Sequence, residues 1–278
     1  MPRDNAKAEP TLGAAIRKRR KQMQLEQRAQ LLNTRLTTRS AAQALRVAID
    51  APELGDVALV SSFGAEAAVL LHLVAVSKPD LPVIFLDTGK HFTETLVYAQ
   101  ELVERFGLSN VRFIAPDPSA VSRLDSKGDL HARNSDACCA IRKSDPMQAA
   151  LTAMPTLGAL ITGRKRYQGG PRARLEVFEA DLASGLIKVN PLARWLPADI
   201  AEYMDENRLP KHPLLAKGYL SIGCAPCTSP VAQGEDARAG RWRGHEKSEC
   251  GIHFINGRAV RGPVSKAKPE PKSKKETA

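Results

Sequence analysis

The chain has 278 residues, of which 43% are hydrophobic, enough for the core of one large domain or two small ones. The formal net charge is +11, but residues 1–39 carry +7 and residues 256–278 carry +5, which leaves −1 for the rest. This distribution argues against a nucleic-acid-binding body, and solubility and disorder are the favoured explanation for the basic ends. The sequence has no apolar run of about 18 residues and no apolar signal segment near Met1, so we expect a cytoplasmic protein with no membrane partner.

The predicted elements alternate between strands and helices. An exposed helix over 12–32 comes first, within a basic N-terminal extension at 1–39. The body then shows apolar strand patterns at 57–62, 83–86, 111–114 and 159–163, with helical patterns at 67–76 and 93–106. This alternation predicts an α/β fold with a mostly parallel sheet and helices on both faces. Ligands of such sheets bind at the carboxyl ends of the strands.

The first candidate site is the segment from Ser61 to Glu66, where the first strand meets the next helix. Small residues and a glycine let backbone N–H groups approach a phosphate, and a helix N-terminus favours negative charge. The segment lacks the Gly-Lys-Ser/Thr of a Walker loop. An ordinary tight turn with a serine cap is the alternative that the residues leave open.

The second candidate is Asp87-Thr88-Gly89, at the end of the next strand. A carboxylate there can accept a hydrogen bond from an adenine amine or a ribose hydroxyl, and a strand-ending Asx turn is the alternative. Basic side chains follow the other strands, and arginine forks bind phosphate or sulfate oxygens in pairs. Arg164 comes directly after a strand, and Lys143 lies four residues after a cysteine.

The five cysteines divide into four and one. Cys138-Cys139 and Cys224-Ala225-Pro226-Cys227 supply four thiols, enough for one metal centre. Zinc is the competing occupant, but adjacent cysteines suit an iron–sulfur cluster better because the cluster offers each sulfur its own iron atom. The absence of a signal segment argues against a disulfide framework.

The fifth cysteine, Cys250, stands apart in Glu249-Cys250-Gly251-Ile252-His253. A reactive thiolate needs nearby positive charge or a proton acceptor, and His253 lies three residues away. The preceding stretch is rich in glycine and charge, so we predict a mobile segment over 233–262 that closes over a pocket. A disordered basic tail is expected at 263–278, and the nucleotide- and cluster-binding domain at 40–232.

Together these motifs, in their order and spacing, resemble the assimilatory adenosine 5′-phosphosulfate reductases, relatives of the phosphoadenosine phosphosulfate reductases with an adenine-nucleotide alpha-hydrolase fold. The resemblance runs from about Ser40 to His253. It implies a [4Fe-4S] cluster on the four paired cysteines and Cys250 as the nucleophile. It also implies a nucleotide site and a set of catalytic residues. The nucleotide site would use Ser61, Ser62, Phe63, Gly64, Glu66, Asp87, Thr88 and Arg164, and catalysis would use Cys250, His253, Lys143, Arg241 and Arg243.

The implied reaction releases AMP and leaves an S-sulfocysteine on Cys250, from which a thiol of thioredoxin, or of a glutaredoxin-like donor, releases sulfite. Three alternatives remain: a reductase that prefers or also accepts the 3′-phosphorylated nucleotide, a tRNA-thiolating enzyme of the same fold, and a non-enzymatic zinc protein that binds nucleic acid. The tRNA-thiolating enzymes carry Ser-Gly-Gly-x-Asp-Ser where this chain has Ser61-Ser62-Phe63-Gly64-Ala65-Glu66, which disfavours them. A homo-oligomer is compatible with the sequence.

Overall fold

The structure is a computed structural model that describes residues 12–38, 40–244, 253–255 and 258–260. Its main sheet has six strands: β1 Asp56–Ser61, β2 Val83–Leu86, β3 Val111–Ile114, β4 Leu157–Thr162, β5 Phe178–Asp181 and β6 Leu186–Val189. The strand order is β3-β2-β1-β4-β6-β5. All neighbouring strands run parallel except β5, which pairs antiparallel with β6. The predicted mostly parallel sheet is confirmed.

The described helices are α1 Leu12–Thr34, α2 Ala41–Asp50, α3 Ala67–Ser77, α4 Thr93–Phe106, α5 Pro118–Leu124, α6 Leu130–Arg133, α7 Ser135–Cys139, α8 Asp145–Thr152 and α9 Pro197–Glu206. A π-helix, Ala140–Ser144, joins α7 to α8. Two further strands, β7 His253–Ile255 and β8 Arg258–Val260, pair as a hairpin. Within the described residues, no helix is long and apolar enough to cross a membrane.

Alternate residues of the buried strands point to opposite faces of the sheet, and each face has its own core. In β1, Val57 and Leu59 join the larger core with residues of α2, α3, α4 and α9. Ala58, between them, packs with Met147 and Met154 near α8 on the other face. Because side chains alternate with a period of two along a strand, both faces of a parallel sheet must be apolar and covered. The predicted cover of helices on both faces is confirmed.

The N-terminal helix begins where it was predicted, but it is not exposed along its whole length. Its first turns are exposed, whereas Ala29 and Leu32 near its end are buried in the larger core. The side chain of Asn33 donates to the carbonyl of Phe178 at 2.8 Å and accepts from its backbone N–H at 3.1 Å. This pair of hydrogen bonds ties α1 to the edge strand β5, so the helix end belongs to the body of the protein.

Candidate active site

Three loops meet at the carboxyl edge of the sheet, because β2, β1 and β4 are neighbours and run parallel. The loop after β1 holds residues 62–66, the loop after β2 holds residues 87–91, and the loop after β4 holds residues 163–168. The chain order reverses between β1 and β4, and such a switch point opens a crevice between two loops. The predicted binding residues of all three loops therefore line one edge.

The loop after β1 makes a tight turn through Phe63, which has a left-handed backbone with φ of 48°. The Phe63 ring is fully buried and meets Phe85 of β2 edge to face, with ring centroids 5.1 Å apart. Its backbone N–H donates to Ser61 Oγ at 3.2 Å. This conformation is unfavourable for a non-glycine residue and persists only where packing stabilises it. Such strained residues concentrate at functional sites. Ser62, next to it, is exposed.

Glu66 ties the loop after β1 to the loop after β4. Lys165 Nζ lies 2.7 Å from one Glu66 carboxylate oxygen, and the Tyr167 hydroxyl donates to the other. Lys165 is buried, and burial lowers the pKa of its ammonium while the Glu66 carboxylate opposes that change. Both Glu66 oxygens are thus engaged inside the protein, which fixes the two sides of the crevice against each other.

Arg164 turns toward the β5–β6 hairpin. Its guanidinium forms an ion pair with Glu179 at 3.0 Å and donates to Asn190 Oδ1 at 3.0 Å and to Thr162 Oγ1 at 3.1 Å. Burial lowers the pKa of this guanidinium, and the Glu179 carboxylate offsets only part of that change. The structure therefore gives Arg164 protein partners, and its predicted contact with a sulfate oxygen stays a prediction.

The loop after β2 connects the nucleotide turn to a cysteine. Asp87 Oδ1 accepts from the backbone N–H of Gly89 at 3.0 Å, so the Asx turn left open by the sequence is present. The side chain of Thr88 is buried, and its Oγ1 lies 3.3 Å from the Sγ of Cys224. His91 also pairs with Cys224 through the backbone. The predicted adenosine-binding turn and the predicted cysteine site are therefore in direct contact.

The four paired cysteines line one small cavity, although 85 residues separate Cys139 from Cys224. Cys138 and Cys139 end α7, and Cys224 and Cys227 flank a short turn closed by a hydrogen bond from Cys227 N to Cys224 O at 3.0 Å. All four are free thiols. The cavity is also lined by Lys90, His131 and Trp242.

The lining of this cavity has the chemistry of a metal–thiolate centre. Lys90, Arg142 and Lys143 bring positive charge to the four thiols, and this charge would balance the negative charge of thiolates if they bound a metal. Burial raises the pKa of the Cys138 thiol, and Arg142 opposes that change. Among the residues that the structure describes, no group of three His, Cys, Asp or Glu side chains is placed to hold one metal ion. Four thiols around one cavity match in number the ligands of a group with several metal atoms, each bound by its own thiolate.

The two predicted catalytic arginines occupy different positions. The Arg241 guanidinium lies over the ring of Trp242, 4.6 Å from its centroid, and packs against the backbone of Gly223, beside Cys224. Arg243 instead forms an exposed ion pair with Glu235 at 2.8 Å and holds the pKa of that carboxyl at about 2. Trp242 between them has a left-handed backbone with φ of 50°, which turns the chain. Arg241 therefore lies close to Gly223 and Cys224, whereas Arg243 is paired with Glu235.

The comparisons with known proteins agree with this geometry. A model described as "Phosphoadenosine phosphosulfate reductase domain" matches residues 56–230. The chain belongs to the phosphoadenosine phosphosulfate reductase family. It is 54% identical over 199 residues to the adenosine 5′-phosphosulfate reductase of Mesorhizobium japonicum, which covers 72% of this chain and 76% of that protein. It is 41% identical over 198 residues to the phosphoadenosine 5′-phosphosulfate reductase of Gloeobacter violaceus, which covers 70% of this chain and 81% of that protein.

A solved structure gives the same fold. The phosphoadenylyl-sulfate reductase of Candida auris, crystallised as a phosphate complex, superposes with a TM-score of 0.62 at 27% identity. The match covers 73% of this chain and 96% of that protein. The predicted family and the predicted α/β fold are confirmed.

The predicted catalytic roles of Cys250 and His253 stay predictions. Cys250 lies outside the described residues, as do the predicted tail at 263–278 and the first 11 residues. His253 begins β7, a strand whose backbone alone is described. Lys143 lines the cysteine cavity, as the sequence predicted for a cation close to Cys139.

The structure places near the cysteine cavity several residues that the sequence did not predict there. Asp125 is buried against Arg142, and Trp242 and His131 line the cysteine cavity. Asp125 stands in a segment with no motif, so nothing in the sequence signals a buried charge there. Lys165, adjacent to Arg164 in a run of three basic residues, is buried.

Proposed function

We propose that this chain reduces adenosine 5′-phosphosulfate to sulfite and AMP, as a step of assimilatory sulfate reduction and cysteine biosynthesis in the cytoplasm. Relatives that match most of the chain carry the name adenosine 5′-phosphosulfate reductase. The observation that carries the proposal is the contact between Thr88 of the nucleotide turn and Cys224 of the four-cysteine cavity. This contact supports the proposal, because the reaction would need a nucleotide-binding edge beside a thiol-rich centre.

The nucleotide would bind in the crevice at the carboxyl edge of the sheet. The loop after β1, with Ser62 exposed, would receive the phosphate, because its backbone N–H groups precede the N-terminus of α3. Asp87 would accept from the adenine or the ribose. The ion pair between Glu66 and Lys165 holds the two sides of the crevice at a fixed distance, so the site is preorganised.

The four cavity cysteines would hold a [4Fe-4S] cluster. When bound, such a cluster supplies a rigid, negatively charged centre beside the sulfuryl group. Lys143, which lines the same cavity, would hold its ammonium between this centre and the sulfate oxygens. Arg241, packed beside Cys224, would offset charge on the sulfuryl group as the bond to AMP breaks.

The Cys250 thiolate would attack the sulfur of the sulfuryl group. A bond forms between Cys250 Sγ and that sulfur, and the bond to the AMP phosphate oxygen breaks with its electron pair leaving on AMP. A thiol of thioredoxin, or of a glutaredoxin-like donor, would then attack Cys250 Sγ, and sulfite would leave with the electron pair of the sulfur–sulfur bond. The donor's second thiol resolves the mixed disulfide, so the two electrons come from the dithiol.

The first experiment measures sulfite release by anaerobically purified protein with thioredoxin and either nucleotide, alongside iron, sulfide and the absorption spectrum. We expect turnover of adenosine 5′-phosphosulfate and absorption near ~400 nm from thiolate-bound iron. Cys250→Ser should bind AMP but release no sulfite, and retained turnover would refute the nucleophile. Cys139→Ser should lose iron and most activity, whereas a full cluster in that variant would refute the ligand set. A colourless zinc-containing protein would refute the cluster.

A second candidate substrate is the 3′-phosphorylated nucleotide. The 41% identical relative from Gloeobacter violaceus is named a phosphoadenosine 5′-phosphosulfate reductase, so the family name alone does not choose the substrate. The ratio of kcat/KM for the two nucleotides, measured side by side, decides between them. A ratio above 1 in favour of the 3′-phosphorylated nucleotide would overturn the assignment to adenosine 5′-phosphosulfate.

A further inference from the structure

A buried ion pair lies between the nucleotide turn and the cysteine cavity. Arg142 Nη2 lies 2.7 Å from Asp125 Oδ2, and the two side chains are 7% and 0% exposed. The other oxygen of Asp125 accepts from the backbone N–H of Leu130 at 2.8 Å. Burying two charges is costly unless each is paired and hydrogen-bonded, so this pair needs a reason for its position.

Arg142 uses its second terminal nitrogen to hold the nucleotide turn. Arg142 Nη1 donates to the carbonyl of Thr88 at 2.7 Å, between Asp87 and Gly89. A Cβ placed on Gly89 would lie 3.4 Å from the same nitrogen, so the turn lies close against the guanidinium. The planar fork of an arginine can satisfy two acceptors at fixed angles, which a lysine cannot do.

Arg142 also belongs to the wall of the cysteine cavity. It is the third residue of the π-helix that begins directly after Cys139, and it lines the cavity with the four cysteines. Its Nε is buried and has no hydrogen-bond partner among the described residues. π-helical turns occur frequently at functional sites. One guanidinium therefore contacts the cavity wall, the nucleotide turn and a buried carboxylate.

The same segment makes a second tie to the turn. Lys90 Nζ donates to the carbonyl of Gly128 at 2.6 Å, three residues after Asp125. The backbone N–H of Gly128 in turn donates to the carbonyl of Asp125 at 2.9 Å. The loop from Asp125 to Leu130 thus supports the nucleotide turn at two points, and only one of them carries a buried carboxylate.

We propose that Asp125 is a positioning residue of this reductase: it orients Arg142 so that the guanidinium fixes the nucleotide turn at Thr88 against the cysteine cavity. This inference rests on the proposed function, because it assigns the turn to the nucleotide. The turn contacts the nucleotide and not the sulfur that reacts. Loss of Asp125 therefore weakens binding of substrate and product equally and leaves the chemical step unchanged.

The test compares Asp125→Asn with the matched control Asp129→Asn. Asp129 lies four residues further along and pairs with Arg133 at 2.8 Å in an exposed ion pair. We expect Asp125→Asn to raise the dissociation constant of AMP, measured by calorimetry, at least tenfold. The KM for adenosine 5′-phosphosulfate should rise by a similar factor, with kcat within about twofold of wild type. Asp129→Asn should match wild type in all three quantities.

A merely structural role gives a different result. Partial unfolding lowers the active fraction and therefore the apparent kcat, while the KM and the AMP dissociation constant of the folded molecules stay at their wild-type values. That result, or AMP binding by Asp125→Asn within twofold of wild type, would overturn the inference. Sulfite release by the wild type tests the proposed function separately. A wild type that does not bind AMP would overturn both.

Arg142→Lys is the second variant, and it decides the matter if Asp125→Asn does not fold. The substitution keeps a cation at the cavity but cannot donate to Thr88 and Asp125 at the fixed angles of the fork. We expect the iron content of the wild type together with an AMP dissociation constant raised at least tenfold. Wild-type AMP affinity in Arg142→Lys would refute the positioning role of the pair.

Discussion

Gly223→Ala tests whether Arg241 acts at the reacting group. A Cβ added to Gly223 would lie 2.2 Å from Arg241 Nη2, 2.8 Å from Nη1 and 2.5 Å from Cζ. The φ of Gly223 lies outside the left-handed region, so alanine is acceptable to the backbone itself. The Arg241 guanidinium also lies over the Trp242 ring, 4.6 Å from its centroid, so the new methyl group must displace it from that position.

The size of the effect follows from the displacement. An ordinary contact begins at 3.4 Å, so the Arg241 nitrogen must move by about 1.2 Å. A misplacement of about 1 Å in a group that stabilises the transition state lowers the rate by roughly 10²-fold. We therefore expect kcat/KM for adenosine 5′-phosphosulfate to fall about 100-fold, equivalent to about 2.7 kcal/mol. The iron content should stay at the wild-type level, because Cys224 keeps its backbone position.

A double-mutant cycle tests whether the effect of Gly223→Ala depends on Arg241. If the methyl group acts through Arg241, then Gly223→Ala costs nothing further in an Arg241→Ala background, because the side chain it displaces is absent. Additive losses in steady-state sulfite release would refute the reasoning, and so would a single Gly223→Ala variant within threefold of wild type. Gly13→Ala is the control, since a Cβ at Gly13 meets only Arg17, at 3.6 Å.

Three further predictions concern other parts of the chain. Arg243→Ala should lower kcat/KM less than tenfold, because Arg243 forms an ion pair with Glu235. Arg241→Ala should lower kcat/KM about 100-fold. Equal losses for the two variants in the same assay would contradict this difference. Glu66→Gln should lower the free energy of unfolding in urea by about 2 kcal/mol, because it leaves Lys165 buried without its carboxylate partner. If Glu66→Gln loses less stability than Lys165→Met, the buried unpaired ammonium is not the cause. His212 has its pKa lowered by burial to about 4, so its stabilising contribution is complete above about pH 6.5 and falls as the pH drops toward 4. Stability at pH 5 should be about 2 kcal/mol below that at pH 7, and the same drop in His212→Asn would show that another group is responsible.

The pH effect has a clear structural origin. Leu214 N donates to His212 Nδ1 at 3.1 Å, and His212 Nε2 lies 3.1 Å from Thr95 Oγ1. The imidazole is 1% exposed and uses Nδ1 as an acceptor, so a proton there would break the bond to Leu214 and bury a charge.

Local sequence patterns predicted much of the sheet. The first strand was predicted at 57–62 and lies at Asp56–Ser61, and the second lies at Val83–Leu86 as predicted. These strands are buried on both faces and therefore read as continuous apolar runs. The hairpin of β5 and β6 was not predicted, because its short strands carry Glu179, Asp181 and Lys188 among apolar residues.

By itself, the sequence determined the family, the tight turn after Ser61 and the separation of four cysteines from a fifth, because these depend on residue types at short spacings. Only the tertiary structure decided which charged residues belong to the site. Asp125 meets Arg142 across 17 residues, and Lys165 meets Glu66 across 99. A buried ion pair leaves no periodic pattern in the sequence, because its partners are brought together by the packing of the sheet and its loops. The exposed pair of Arg243 and Glu235 contains the same types of residue, and burial alone distinguishes the two kinds.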